Sequence, residues 1–241
     1  MSVKLDSIEM SLFEAVSELH EIPVGAYNIR SNGKSAGRQV TANIDIVPKE
    51  GGKGIDIYIK PGTKNESVHI PAIVTQSGIN DIVYNDFHIG DDADVLIVAG
   101  CGIHNEGDIT SIHNGTHSFF VGKNAKVKYV EKHIGEGDGK GERIINPETY
   151  IEIKEGGYME MDTVQIKGID STKRNTKAVL DAQSTLVIKE KIMTHGSQYA
   201  ETNFEVELNG KGASTNLISR SVAKDQSKQI FISKIDGNNE C

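Results

Sequence analysis

At 241 residues and a formal net charge of −8, the chain can bury a full core but lacks the clustered Lys and Arg that displace counterions from a phosphate backbone. Aromatic residues make up 5% with no Trp, so the core must come from Val, Ile, Leu and Ala; no apolar run of about 18 residues and no charged-then-apolar leader is present. These features predict a cytoplasmic protein with neither nucleic acid nor membrane as partner, whose two cysteines, Cys101 and Cys241, are free thiols or ligands and not a disulfide.

From Ser7 to His20 the apolar residues Ile8, Leu12, Ala15, Val16 and Leu19 recur at three- and four-residue steps, and Pro23 ends the pattern, which predicts one amphipathic helix. After Asn28 the texture changes to alternating segments separated by Gly, Asp, Asn and Lys. Val40 to Ile46 and Ile55 to Ile59 read as half-buried strands. Asn32-Gly-Lys-Ser35 has the ending of a phosphate-binding loop, but the first glycine of that motif would fall on Asn28, so nucleotide binding there is discounted.

From Phe87 onward one unit recurs: an alternating strand, a tight polar turn closed by a small residue, and another alternating strand. Copies run from Phe87 to Val98, Phe119 to Val130 and Tyr150 to Met161, with looser ones from Lys177 to Ile188 and Phe204 to Ile218. The closing residues are Ala93, Ala125, Gly157, Ser184 and Ala213, so successive copies lie 32, 32, 27 and 29 positions apart. A strand-built repeat of this length predicts a solenoid whose coils stack their inward residues into ladders, an all-β parallel β-helix, in preference to a Greek-key sandwich. Gly135-Glu-Gly-Asp-Gly-Lys-Gly-Glu142 reads as a mobile loop leaving the solenoid wall, its acidic residues being unsuited to phosphate.

Chemistry is concentrated between positions 99 and 130. Ala99-Gly-Cys-Gly-Ile-His-Asn105 places Cys101 between glycines after an apolar strand, which reads as a reachable thiol at a turn; the alternative is a small buried core residue. Cys101, His104, His113 and His117 have the residue types of a metal set, and His113 and His117, four apart on a strand, project to one face. Their spacing matches no zinc-finger pattern, and a thiolate with imidazoles suits iron, zinc or a persulfide, so the metal is left unassigned. Glu160 and Asp162 share a strand face and resemble the acid pairs of β-helical polysaccharide enzymes, a reading weakened by the lack of Trp; a solvated acidic stripe is the plainer account.

Several long words carry a family resemblance: Tyr58-Ile-Lys-Pro-Gly-Thr-Lys-Asn-Glu-Ser-Val-His-Ile-Pro71, Ala99-Gly-Cys-Gly-Ile-His-Asn105, Val121-Gly-Lys-Asn-Ala-Lys-Val-Lys-Tyr-Val-Glu-Lys132, Val164-Gln-Ile-Lys-Gly-Ile-Asp-Ser-Thr-Lys-Arg174 and Leu217-Ile-Ser-Arg-Ser-Val-Ala-Lys224. From Asn28 onward the chain resembles the core domain of the SufB/SufD family, scaffold subunits of the SUF iron-sulfur cluster assembly system, especially its short archaeal and anaerobe-type members. The resemblance implies a right-handed parallel β-helix over residues 28–241 behind an N-terminal helical segment, 1–27. It implies a non-enzymatic scaffold working with a SufC-like ABC ATPase and a cysteine desulfurase or other sulfur donor, in a SufB/SufD-type homo- or heterodimer that carries a transient iron-sulfur cluster.

Cys101 matches the family cysteine proposed to accept sulfur inside the β-helix, and His117 falls at a family histidine; His104, His113 and Cys241 are further candidates. A SufD-like structural subunit with inert Cys101 is the alternative. The family pattern continues beyond Cys241 into another Cys-containing coil and a helical segment that docks the ATPase, whereas this sequence stops at Asp236-Gly-Asn-Asn-Glu-Cys241. The expectation is therefore a fragment lacking that segment, with Cys241 as a remnant of the next coil or a terminal ligand, and an exposed solenoid edge that adding the segment would stabilise.

Overall fold

The computed structural model describes residues 3–17 and 19–240. One helix, α1 (Ser7–Ser17), precedes the strands β1 (Ala26–Ser31), β2 (Lys34–Gln39), β3 (Ile44–Pro48), β4 (Gly54–Ile59), β5 (Lys64–Val74), β6 (Asn80–Ile89), β7 (Asp94–His104), β8 (Ser111–Val121) and β9 (Lys126–Glu136). These are followed by β10 (Arg143–Ile145), β11 (Glu148–Ile153), β12 (Tyr158–Lys167), β13 (Ser171–Leu180), β14 (Thr185–Thr194), β15 (Tyr199–Leu208), β16 (Ser214–Ala223) and β17 (Lys228–Gly237).

The helix opens with a reciprocal cap. The Asp6 carboxylate accepts the N–H groups of Ile8 and Glu9, each at 2.9 Å, and the Glu9 carboxylate accepts the N–H of Asp6 at 3.0 Å. It buries Leu12, Phe13 and Val16 on the outer face of β5, β7 and β9, while Ile8 stays exposed. It ends at Ser17, short of His20, where the Ser17 hydroxyl donates back to the Phe13 carbonyl at 2.6 Å.

The strands form two sheets, ordered β16-β14-β12-β9-β7-β5-β1-β2 and β17-β15-β13-β10-β8-β6-β4-β3, with β11 also between β13 and β8. Apart from β1 with β2 and β3 with β4, every described pairing is parallel, so the solenoid expectation holds and the antiparallel sandwich does not. From β5 onward each coil contributes one strand to each sheet, with that of one coil divided into β10 and β11. The turns between them are built alike: the closing residue's N–H bonds three residues back, as Ala93 to Gly90, Ala125 to Gly122, Gly157 to Lys154, Ser184 to Asp181 and Ala213 to Gly210. The residue before the closing one has positive φ in each case, Asp92, Asn124, Gly156, Gln183 and Gly212, and the closing residue is buried because it faces the same position on the next coil. Thr63, closing Lys60 to Thr63 in the same way, is a further copy that the repeat pattern missed.

Two local expectations need correction, the strand from Val40 and the glycine-rich loop, and the Asn32 segment takes its place as a turn. The segment from Val40 is not strand until Ile44, because the Thr41 hydroxyl caps a turn by accepting the N–H groups of Asn43 (3.2 Å) and Ile44 (3.0 Å). Asn32-Gly33, with φ of 46° and 76°, forms the two-residue turn of the β1–β2 hairpin. The glycine-rich loop does not leave the wall: Gly139 N–H bonds Asn105 O at 3.1 Å and Gly141 N–H bonds Gly107 O at 2.9 Å. A Cβ on Gly139 would come within 2.4 Å of backbone in the coil before, so the glycines are there to let two corners stack.

Inward positions divide the interior lengthwise. Near the repeated turns the ladders are apolar, for example Ile57, Phe87, Phe119, Ile151 and Val206. Toward the opposite corner the inward residues turn polar, and this half holds the candidate site.

Candidate functional site

Cys101 is neither at a turn nor exposed. It sits within β7 at 3% exposure, facing inward, with Ala72 beside it on β5 and His133 beside it on β9. Gly100 and Gly102 face outward under α1, where added Cβ atoms would meet Val16 at 2.8 Å and Leu12 at 3.1 Å. The glycines that suggested a turn are thus the contact surface of a helix. Burial, followed by the negative charges of Asp81 and Glu131, pushes the Cys101 thiol well above its ordinary range, so it is held protonated.

Around it lies a buried polar cluster drawn from both sheets. Arg30 donates to both Asp81 oxygens at 2.7 and 2.6 Å, and His113 Nδ1 lies 3.1 Å from the same carboxylate. The Asp81 carboxyl is held far below the usual range because these hydrogen bonds and charges outweigh its desolvation. Tyr129 donates to Glu131 at 2.8 Å, so its oxygen accepts from His117 Nδ1, 2.9 Å away. That assigns the neutral Nδ1–H tautomer to His117 and leaves Nε2 facing the Asn85 amide at 3.4 Å. Burial lowers the His117 pKa to about 4, against the opposing pull of Glu131. Glu131 also accepts from Arg174 at 2.7 Å, and the guanidinium and nearby imidazoles keep it ionised despite burial.

Of these groups Arg30, Asn85 and Glu131, with Cys101, His113, His117 and His133, line a cavity of about 30 Å³, room for one or two waters. His113 and His117 lean toward each other over Gly115: a Cβ there would lie 3.6 and 3.2 Å from their Nε2 atoms. A larger residue at that position would fill the space between the rings.

The structure therefore brings together Cys101, His113 and His117 of the set their residue types suggested, but not His104. An odd separation on a strand sends His104 to the outer face, where its Nε2 pairs with Glu106 at 3.0 Å. Among the described residues no three His, Cys, Asp or Glu side chains are grouped to hold a metal ion, so the four-member set is not assembled. Cys241 lies outside the described residues. Glu160 and Asp162 are no free acid pair either, since Lys189 and Lys191 of the next coil bond them at 2.8 and 2.9 Å.

Sequence reading missed Arg30, Asp81, Asn85, Tyr129, Glu131, His133 and Arg174. The signal available was parity: Tyr129, Glu131 and His133 occupy the inward positions that Val127 begins, where an all-apolar core would place Val or Ile.

Comparison with known proteins places the chain among iron-sulfur cluster assembly proteins. A family model described as SUF system FeS cluster assembly, SufBD core domain, matches residues 77–241. An iron-sulfur cluster assembly SufBD family protein of Methanocaldococcus jannaschii is 27% identical over 184 residues, 76% of this chain and 57% of that protein. A SufBD family protein of Archaeoglobus fulgidus is 22% identical over 171 residues, 71% of this chain and 45% of its own length. The chain spans about half the length of these curated relatives.

Proposed function

The chain belongs to the SufBD core family of the SUF iron-sulfur cluster assembly system, and from that premise we propose that it is a scaffold subunit whose interior thiol, Cys101, accepts sulfur destined for a cluster. The observation that carries this reading is the company Cys101 keeps: the one described cysteine lies in the polar half of an otherwise apolar solenoid, beside three buried imidazoles and two buried carboxylates. Burying that many polar groups is costly unless they serve a purpose apolar ladders would not.

In the proposed step Cys101 loses its proton and its sulfur attacks the terminal sulfur of a donor persulfide. The donor S–S bond breaks, the donor leaves as a thiolate that takes up the proton, and Cys101 is left as the persulfide, with no net redox change. Because burial, and after it Asp81 and Glu131, oppose the thiolate, deprotonation in this reading coincides with donor attack or with entry of water or a cation beside the sulfur. The partners of this reading are a SufC-like ABC ATPase, a cysteine desulfurase as donor, and a second SufB/SufD-type subunit; the cluster is cargo. A cytoplasmic setting fits, and no described helix is long and apolar enough to cross a membrane. The protonated, buried thiol also favours a second reading, a SufD-like subunit in which Cys101 is inert packing.

Peptide mass spectrometry after anaerobic incubation with a cysteine desulfurase and cysteine separates them. Sulfur added at Cys101, retained in Cys241→Ser and lost in Cys101→Ser, is the expected result. No added sulfur at Cys101 in the complex with the ATPase would overturn the acceptor role and leave the structural one.

A further inference from the structure

On the outer face of the sheet containing β4, β6, β8 and β11, four successive coils place a ring. Tyr58 and His88 stack at 4.7 Å with planes 10° apart, His88 and Phe120 follow at 5.2 Å and 11°, and Phe120 meets Tyr150 at 6.2 Å, tilted by 58°. Beside this ladder, bounded by the turn ridge at Pro61, runs a groove of about 520 Å³, inside the range of roughly 300–1,000 Å³ typical of small-molecule sites. None of it belongs to the Cys101 cluster, which lies inside the solenoid.

The chemistry of the groove is specific. Both faces of the His88 ring are covered by its neighbours, so the ladder offers its ring edges, the electropositive rim of an aromatic quadrupole. Lys60 and Lys154 stand at the rim from coils at opposite ends of the ladder, against Glu152 alone among the lining acids, so a net positive rim sits on a chain whose formal charge is −8. Lys154 is engaged by Glu152 at 2.5 Å, whereas the Lys60 ammonium donates only to the Ala42 carbonyl at 2.7 Å among its described bonds, which leaves its charge without a carboxylate. Electropositive ring edges and an uncompensated cation select for the same ligand.

We propose that this groove binds a flat, electron-rich aromatic anion, its π face laid against the ring edges and its anionic group toward Lys60. The site needs neither Cys101 nor sulfur chemistry, so its failure and that of the scaffold reading are independent.

The test is titration of the full chain with 1-anilinonaphthalene-8-sulfonate, followed by fluorescence and calorimetry, beside its uncharged analogue N-phenyl-1-naphthylamine. The expected result is saturable one-to-one binding that prefers the sulfonate. Phe120→Ala weakens both probes by about tenfold. Lys60→Gln, an exposed change that leaves the fold alone, costs the sulfonate about threefold and the neutral probe nothing. Non-saturable binding, equal affinity for the two probes, or affinities unmoved in Lys60→Gln would overturn it. So would a dimer, seen by light scattering, that dissociates as the probe fills the groove, since a second copy would then be the occupant.

Discussion

The His117 imidazole is held neutral by burial, and this ties the interior cluster to pH. An unfolded histidine titrates near 6.5, the folded one at about 4, so between those values the unfolded chain binds more protons. The stabilising contribution is therefore complete above about pH 6.5 and is lost as the pH falls toward 4, on the order of 3 kcal/mol for the group. His69, also lowered by burial, adds a loss of the same sign. Asp81 and Glu131, depressed by their cationic partners, contribute stability that persists through this window and fades only as the pH falls below the ordinary carboxylate range. Melting temperatures measured from pH 7 down to 4.5 should fall more steeply for the native chain than for His117→Gln, whatever the variant's stability at pH 7. Parallel slopes would mean that His117 is not the buried neutral base described. At this scale the sequence revealed that His113 and His117 share a face, because parity on a strand is a local property. It could not reveal that Tyr129 and Glu131 meet His117 and Arg174, because those partners come from the opposite sheet.

Among elements, α1 and β7 are matched by absence of side chains. Gly100 and Gly102 let the helix lie directly on the strand, and a Cβ at position 100 would stand 2.8 Å from Val16 Cβ and 3.0 Å from the Lys132 carbonyl. Gly100→Val should displace α1, costing about 1–3 kcal/mol by overpacking. Hydrogen exchange would show amides of residues 7–17 losing protection while β12 and β14 keep theirs; unchanged protection in α1 would show that the helix can shift without loosening. The same pair explains a misreading. Glycine ordinarily punctuates turns, and only contact with a helix more than eighty positions earlier in the sequence distinguishes this use from that one. Helix existence was legible from its apolar period, and the turns from their small closing residues. The β1–β2 hairpin was not, since β2, Lys34-Ser-Ala-Gly-Arg-Gln39, carries almost no apolar alternation to announce a strand.

For the molecule as a whole, the repeat was legible because each coil obeys one local rule at its turn even where the period shifts from 32 to 27 positions. The division of the interior into apolar and polar halves was not, because it depends on how two sheets face each other. Stacking of this kind also governs cooperativity: a coil touches its neighbours along the axis, so energetic coupling should decay with coil separation. Phe87 and Phe119, on adjacent coils, stack at 4.6 Å with planes 4° apart. Ile57 and Leu186 belong to the same apolar ladder system but to coils near opposite ends, on β4 and β14. In urea denaturation, a double-mutant cycle of Phe87→Leu with Phe119→Leu should give a coupling of about 1 kcal/mol. Ile57→Ala with Leu186→Ala should be additive within about 0.5 kcal/mol. If the distant pair coupled as strongly as the stacked one, the chain would be folding around a shared three-dimensional core, and nearest-neighbour stacking would not be what holds it together.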